Sequence, residues 1–347
     1  MGLSICFDDI PKGRRNLITD VPGVLVGHAT LSRGDVQTGV TAVLPHNGNI
    51  FQEKVPAAVH VINGFGKTAG SIQIQERGTL ETPILLTNTL SVGDVSSALV
   101  RYMLEQNQDI GLTTGTVNPF VLECNDGELN DIRGQHVGEK EVRQALRRAA
   151  ADFEEGAVGA GRGMVCCQMK GGIGSSSRVL CFGEKEYHVG ALVLSNFGSL
   201  RDLVIAGRHV GPELAVSMDM EEDKGSIIVV LATDIPMSTR QLKRICKRAS
   251  VGISRTGGHI GNGSGEIAAA FTTANRIPHY EKEDILPMAM LAEKNMNQVF
   301  RAVIGAVEEA VISSMLHAEP VTGRAGNFRD SLANWVRLDD FAPEAQR

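Results

Sequence analysis

An α/β fold is what this chain predicts, and three observations carry the expectation. Short runs of consecutive apolar residues, Gly190 to Leu194 (GALVL) and Ser226 to Leu231 (SIIVVL), have the length and continuity of strands buried on both faces. Leu291, Met296, Val299, Phe300, Val303, Ile304, Val307, Val311 and Met315 recur at 3.6-residue spacing, the mark of a helix packed on a sheet. A chain of 347 residues, 42% of them hydrophobic, is long enough for two average domains or one large α/β unit.

Taken in order, VLVGH (from Val24) and GVTAVLP flank the polar turn LSRGDVQT and read as two strands joined by a loop. Ala57 to Ile62 is a β-like run that stops at Asn63-Gly64-Phe65-Gly66, a turn signature. Pro83 to Thr87 is a buried-strand candidate, and Val95, Leu99, Met103 and Leu104 place a helix after Ser91. Pro119 to Asp131 starts as a strand and then crowds Glu123, Asn125, Asp126, Glu128, Asn130 and Asp131 into a loop, where such residues serve as Asx-type turns. Glu139 to Phe153 reads as an amphipathic helix, and after the glycine-rich link from Gly156 to Gly163 a strand is expected at Met164 to Cys167. Asp202 to Lys224 is a polar insertion whose MDMEEDK stretch is expected as an exposed acidic tip. Ser238-Thr239-Arg240-Gln241 resembles a capping box, opening a helix that carries Leu242, Ile245, Cys246 and Val251 inward. His279 to Asp284 is a polar loop, and the last helix runs from about Leu286 to His317.

Composition narrows the functional classes. The formal net charge of −6 and the lack of a concentrated basic face argue against nucleic acid or an anionic membrane as partner. Arg240 to Arg248 (RQLKRICKR) is read as a solvated helix face. No apolar run approaches the ~20 residues of a membrane span, and MGLSICFDDIPKGRR lacks the apolar core of a leader, so a cytoplasmic protein is expected. The six cysteines include no CxxC pair and read as reduced core residues. Nine histidines without HxH or HExxH spacing give no support for a metal site, and Lys170-Gly171-Gly172-Ile173-Gly174 fits neither phosphate-loop pattern, so no cofactor is expected.

One stretch invites a chemical reading. Gly257-Gly258-His259-Ile260-Gly261-Asn262-Gly263-Ser264-Gly265-Glu266 is a glycine-dense approach ending in a lone serine, followed by a small-residue strand. It could be an exposed Gly/Ser turn. It could also hold a nucleophile that first cuts its own chain at Gly263-Ser264, leaving Ser264 as a new N-terminus. An α-amine has a reference pKa of about 7.7 to 8.0, so it can take the proton of its own hydroxyl near neutral pH. The surroundings are not GxSxG, and His259 on a severed approach loop is a poor base.

GNGSGE with IAAAFTTAN resembles the processing site of the DmpA-type (P1) family of self-cleaving aminopeptidases, which includes β-peptidyl aminopeptidases and L-aminopeptidase/D-esterases. The likeness extends to ITDVPGVLVGH (Ile18 to His28), NGFGK (Asn63 to Lys67), LETPILLTNTLSVGDV (Leu80 to Val95), PFVLECNDGELNDIRG (Pro119 to Gly134), KGGIGSSSR (Lys170 to Arg178), LSNFG (Leu194 to Gly198), SIIVVLATDIP (Ser226 to Pro236) and VEEAVISSML (Val307 to Leu316). The resemblance implies a four-layer αββα sandwich related to N-terminal-nucleophile hydrolases with different connectivity. It implies one catalytic domain made of an α-chain, 1–263, and a β-chain, 264–347, assembled as a homotetramer of processed pairs. It implies Ser264 as nucleophile, Asn196 as oxyanion donor worth about 3 kcal/mol, and Glu123 as receptor of the substrate's ammonium. Glu308 would approach the nucleophile and organise its amine; Ala306 stands where relatives can place a serine. Asn125 falls where some relatives carry a tyrosine beside the oxyanion, and Lys170 lies in the scaffold near the site. The expected substrate is a small peptide or aminoacyl amide. An acyltransferase of ornithine-acetyltransferase type, an esterase/amidase and an unprocessed binding or assembly protein stay open as alternatives.

Overall fold

A computed structural model of the chain describes residues 5–215, 225–337 and 341. Two sheets form the centre. The smaller contains β1 (Leu25–Arg33), β2 (Val36–Leu44), β4 (Ile84–Asn88) and β5 (Phe120–Cys124), in that order, with β4 and β5 parallel. The larger runs β6 (Gly172–Phe182), β7 (Lys185–Asn196), β8 (Ser226–Thr233), β9 (Gly265–Thr272) and β3 (Glu53–Gly64). Its pairs are antiparallel except β8–β9, and the short strands Thr79–Leu80 and Ile277–Pro278 both pair with β3.

Strand alternation sorts the side chains into two cores. Leu192, Leu194, Ile228, Val230, Ile267, Ala269 and Phe271 point to one face, into a cluster shared with Val26, Val40, Leu85 and Val121 of the smaller sheet. Ala191, Val193, Ile227, Val229, Leu231, Ala268 and Ala270 point to the other. There they meet α4 (Thr239–Arg255) and α5 (Met296–Leu316). Helices α2 (Val92–Gln106) and α3 (Glu139–Arg147) pack beside the smaller sheet, completing the expected helix-sheet-sheet-helix order. A short α1 (Ser71–Arg77) follows β3. Among the described residues no helix is long and apolar enough to cross a membrane.

The KGGIGSSSR segment is explained by packing. Ser175 Oγ accepts from Ile18 N at 2.8 Å and donates to Ala191 O at 2.7 Å. Ser176 Oγ donates to Ala306 O at 2.7 Å, and Ser177 Oγ to Asp20 at 2.7 Å. Arg178, buried, pairs with Asp8 at 3.0 Å and Glu309 at 2.8 Å. The edge strand β6 is thereby covered by the N-terminal segment, a common protection for an exposed ladder.

Several expectations need correction. The third helix ends at Arg147 rather than reaching Phe153, because Ala150 exchanges both backbone hydrogen bonds with Val26 at 3.0 Å. The last helix begins at Met296, not near Leu286; Pro287 lacks an N–H, and the Asn275 side chain clamps Ala289 N and O at 3.1 and 3.0 Å. Val251 points to solvent at 43% exposure, whereas Ala249 and Ile253 face the core with Leu242, Ile245 and Cys246. Met164 to Cys167 supplies only Val165–Cys166, half of a small hairpin with Met169–Lys170. The MDMEEDK stretch lies outside the described residues. All six cysteines are free; Cys124, Cys166, Cys167 and Cys246 are buried, while Cys6 and Cys181 are exposed.

Candidate active site

Register decides what can meet at one end of the large sheet. Asn196 ends β7 opposite Ser226, which starts β8; Ser226 pairs with Gly265, which starts β9; and Gly265 pairs with Gly64 at the end of β3. These four positions form one row. At about 4.8 Å per strand, the backbones of Asn196 and Gly265 stand about 10 Å apart across Ser226. The smaller sheet delivers Glu123 to the same end, because Cys124 Sγ lies 3.5 Å from Leu194 O of β7.

Ser264 is buried, while Gly263 before it is exposed and has open space where a Cβ would stand. The connecting peptide therefore has one face to solvent and one to the protein. Gly261 O accepts both from Ser264 N at 3.1 Å and from Ser264 Oγ at 2.6 Å, closing a tight turn. Asn63 holds the turn from the other side: its Nδ2 donates to Ser264 O at 2.6 Å and Gly261 O at 2.9 Å. Phe65 N adds a bond to Ser264 O at 3.3 Å. Upstream, Gly257 adopts φ 96°, and a Cβ there would stand 1.8 Å from Asp202 O, so only glycine lets the loop leave α4 along this path.

Glu123 is buried at 5% exposure and keeps its two oxygens in different hands. Oε1 accepts from Lys67 N at 2.9 Å, and Oε2 accepts from the Thr89 hydroxyl. Each oxygen retains lone-pair capacity for a further donor. Lys67 and Gly66 belong to the loop whose Phe65 and Gly64 border Ser264 and Gly265, so the carboxylate and the serine share one wall. Asn196 is buried; Val165 N donates to its Oδ1 at 2.9 Å, and its Nδ2 donates to Asn125 O at 3.1 Å. One Nδ2 hydrogen is used in that bond, leaving the second for another acceptor. Asn125 is exposed, and its Oδ1 accepts from Gly127 N at 2.9 Å, the Asx-turn role its residue type suggests.

Glu308 is tied to the root of the serine loop. It is buried on α5 and ion-paired to Arg255 at 3.2 Å, at the end of α4 where the serine loop begins. Burial raises its carboxyl above the usual range, and Arg255 opposes the shift. Its neighbour Glu309 faces Lys12, Asn16 and Arg178 instead. Lys170 is fully buried, with Nζ donating to the carbonyls of Gly161, Met164 and Gly171 at 2.9, 2.6 and 2.7 Å. Its ammonium is thus a brace of the glycine-rich segment. His259 lies exposed, 3.9 Å from Asp202, beside a cleft of ≈ 510 Å³ that Val204, His209 and Gly257 also line. Among the described residues no group of three His, Cys, Asp or Glu is placed to hold a metal ion.

Asn63 and Thr89 join the site although the sequence assigns them no role in it. Asn63 was visible as the first residue of an Asn-Gly turn, which conceals that its amide reaches 201 positions onward to Ser264. Thr89 lies between a buried-strand candidate and the helix expected after Ser91, with no signal of its own for a site role.

Residues 16–329 match Peptidase family S58. The chain belongs to that family. The β-peptidyl aminopeptidase BapA of Sphingosinicella microcystinivorans is 38% identical over 339 residues, covering 90% of this chain and 84% of its own. Among solved structures, the PH0078 protein of Pyrococcus horikoshii OT3 superimposes with TM-score 0.93 at 53% identity, over 96% of both chains. The L-aminopeptidase D-Ala-esterase/amidase of Ochrobactrum anthropi superimposes with TM-score 0.89 at 36% identity, over 97% of this chain and 94% of its own. That enzyme is described as a prototype of the serine aminopeptidases and a variant of the Ntn hydrolase fold. This S58 protein is accordingly an aminopeptidase built on that fold variant.

Proposed function

We propose that this S58 aminopeptidase matures by cutting itself at Gly263-Ser264 and then removes N-terminal residues from small peptides, aminoacyl amides or esters. The observation that carries the reading is the position of Ser264: a buried hydroxyl in a tight turn, joined to an exposed glycine, with the Glu123 carboxylate on the same wall. In maturation Ser264 Oγ adds to the Gly263 carbonyl carbon and the C–N bond breaks, giving an ester and a free amine. Water then releases Gly263 as a carboxylate and restores the hydroxyl.

In turnover the Ser264 α-amine accepts the hydroxyl proton as Oγ attacks the scissile carbonyl and returns it to the leaving amine; water then cleaves the acyl-serine ester, releasing the N-terminal residue as a carboxylate and restoring the hydroxyl. The second Nδ2 hydrogen of Asn196 serves the oxyanion, and Glu123 receives the substrate ammonium on its remaining lone pairs. Asn125 borders the substrate. Glu308 acts through Arg255 on the root of the serine loop, organising the new N-terminus. Processed pairs assemble as homotetramers, for which mass from light scattering is the check.

Mass spectrometry of purified protein tests the central claim. Two chains split before Ser264, a single chain in Ser264→Ala, and a loss of at least about 10⁴-fold in amide hydrolysis by that variant are expected. Active wild-type protein that stays one unbroken chain would defeat the reading.

A further inference from the structure

The aim of the Asn196 amide is decided by two segments outside its own strand. Its oxygen is held by Val165 N, from the hairpin Val165–Cys166/Met169–Lys170, and its nitrogen by Asn125 O, from the loop after β5. A shift of either segment turns the amide.

Where the two segments meet, the protein buries Asp126 and Lys170, both at 0% exposure. Lys170 places its three donors on three carbonyls of the hairpin segment, an arrangement suited to an ammonium. Asp126 Oδ1 accepts from Asn130 Nδ2 at 3.0 Å, and its backbone carbonyl accepts from Leu129 N and Asn130 N at 3.2 and 2.9 Å. Its carboxyl also faces the Thr38 hydroxyl as a hydrogen-bond partner, and that hydroxyl in turn accepts from Asn88 Nδ2 at 2.9 Å. The segments touch without an intervening side chain, since a Cβ on Gly163 would stand 2.8 Å from the Asp126 Cβ. A carboxylate buried with only neutral amide and hydroxyl donors is costly, and apolar side chains of similar volume would serve stability at least as well.

We infer that Asp126 is a positioning residue for the hydrolysis, drawing the 125–131 loop onto the Lys170 hairpin so that the Asn196 amide faces the oxyanion. The inference rests on the proposed function, in which Asn196 supplies that donor. Burial pushes the Asp126 carboxyl up to about 7 and Lys170 down from its ordinary range. Thr38 and Asn130 are its neutral neighbours, and Arg162, Cys166 and Glu128 are the charged or titratable groups around the pair. As the pH rises through about 7 the carboxylate forms against the cost of its burial, and its attraction to Lys170 offsets part of that cost.

The test is steady-state hydrolysis of an aminoacyl p-nitroanilide from pH 5.5 to 9 by wild type, Asp126→Asn and, in case that variant misfolds, Asn130→Ser. Asp126→Asn should be processed normally, keep KM within about twofold and lose about tenfold in kcat at pH 8, as a misaimed donor does. Its log kcat profile should also lose about one proton of pH dependence below neutrality. Asn130→Ser keeps the carboxylate but removes its amide donor, and should show a smaller loss confined to kcat. Wild-type kcat and an unchanged profile in Asp126→Asn, or in Asn130→Ser where only that variant folds, would overturn the role while leaving the function intact. A processed but inert wild type would remove the reaction itself, and the role with it.

Discussion

At the scale of single residues, the site is a set of polar groups whose costs of burial are met by specific partners. Glu123 accepts one donor on each oxygen, Lys67 N and the Thr89 hydroxyl, and can still accept an ammonium. Glu123→Gln should therefore raise KM for free aminoacyl amides by about 10- to 100-fold, the worth of a charged hydrogen bond of ~1.5–3 kcal/mol. Kinetics on free and N-acetylated substrates check this: the blocked substrate, already poor, should lose little. Asp126 makes a separate prediction about stability. Its carboxyl is raised to about 7 in the fold, above the ordinary Asp value near 4. The folded state then binds the extra proton, so the stability this one group contributes is fully present below about pH 4 and is lost as pH rises through about 7. Melting temperature against pH should show that slope in wild type and a flatter line in Asp126→Asn.

At the scale of elements, the helix that launches the serine loop is set by its cap and its apolar stripe. Ser238 and Gln241 form the capping box anticipated from their spacing, with Ser238 Oγ accepting from Gln241 N at 3.3 Å. The stripe is legible at Leu242, Ile245 and Cys246, but Val251 faces solvent, because residue type alone does not say which side of a 100° step an apolar side chain falls on. Ile253→Ala should cost about 2–5 kcal/mol, whereas Val251→Ala, exposed, should cost under about 0.5 kcal/mol. Urea unfolding of both variants measures the difference. The last helix was overextended for a related reason: apolar spacing continues back to Leu291, which is buried, yet Asn275 holds Ala289 in a non-helical path.

At the scale of the molecule, the proposed cut falls at the entry to a central strand. β9 is hydrogen-bonded to β8 on one side and β3 on the other, and both belong to the chain before the cut. α5 packs over the same sheet with its buried glutamates tied to Arg255, Lys12 and Arg178. The two products should therefore co-elute on size exclusion in buffer and separate only in denaturant. The sequence by itself determined the α/β class, the central strands, the lone serine after its glycine run and, through resemblance, the family. Those are properties of composition and local order, since continuous apolar runs and glycine-dense turns carry their physics within a few residues. Tertiary structure alone decided that Asn196, Gly265 and Gly64 share one row, that Glu123 reaches the serine's wall through the backbone of Lys67, and that Glu308 is ion-paired to Arg255. Those facts depend on strand register and on residues from 53 to 201 positions apart, which no periodicity along the chain encodes.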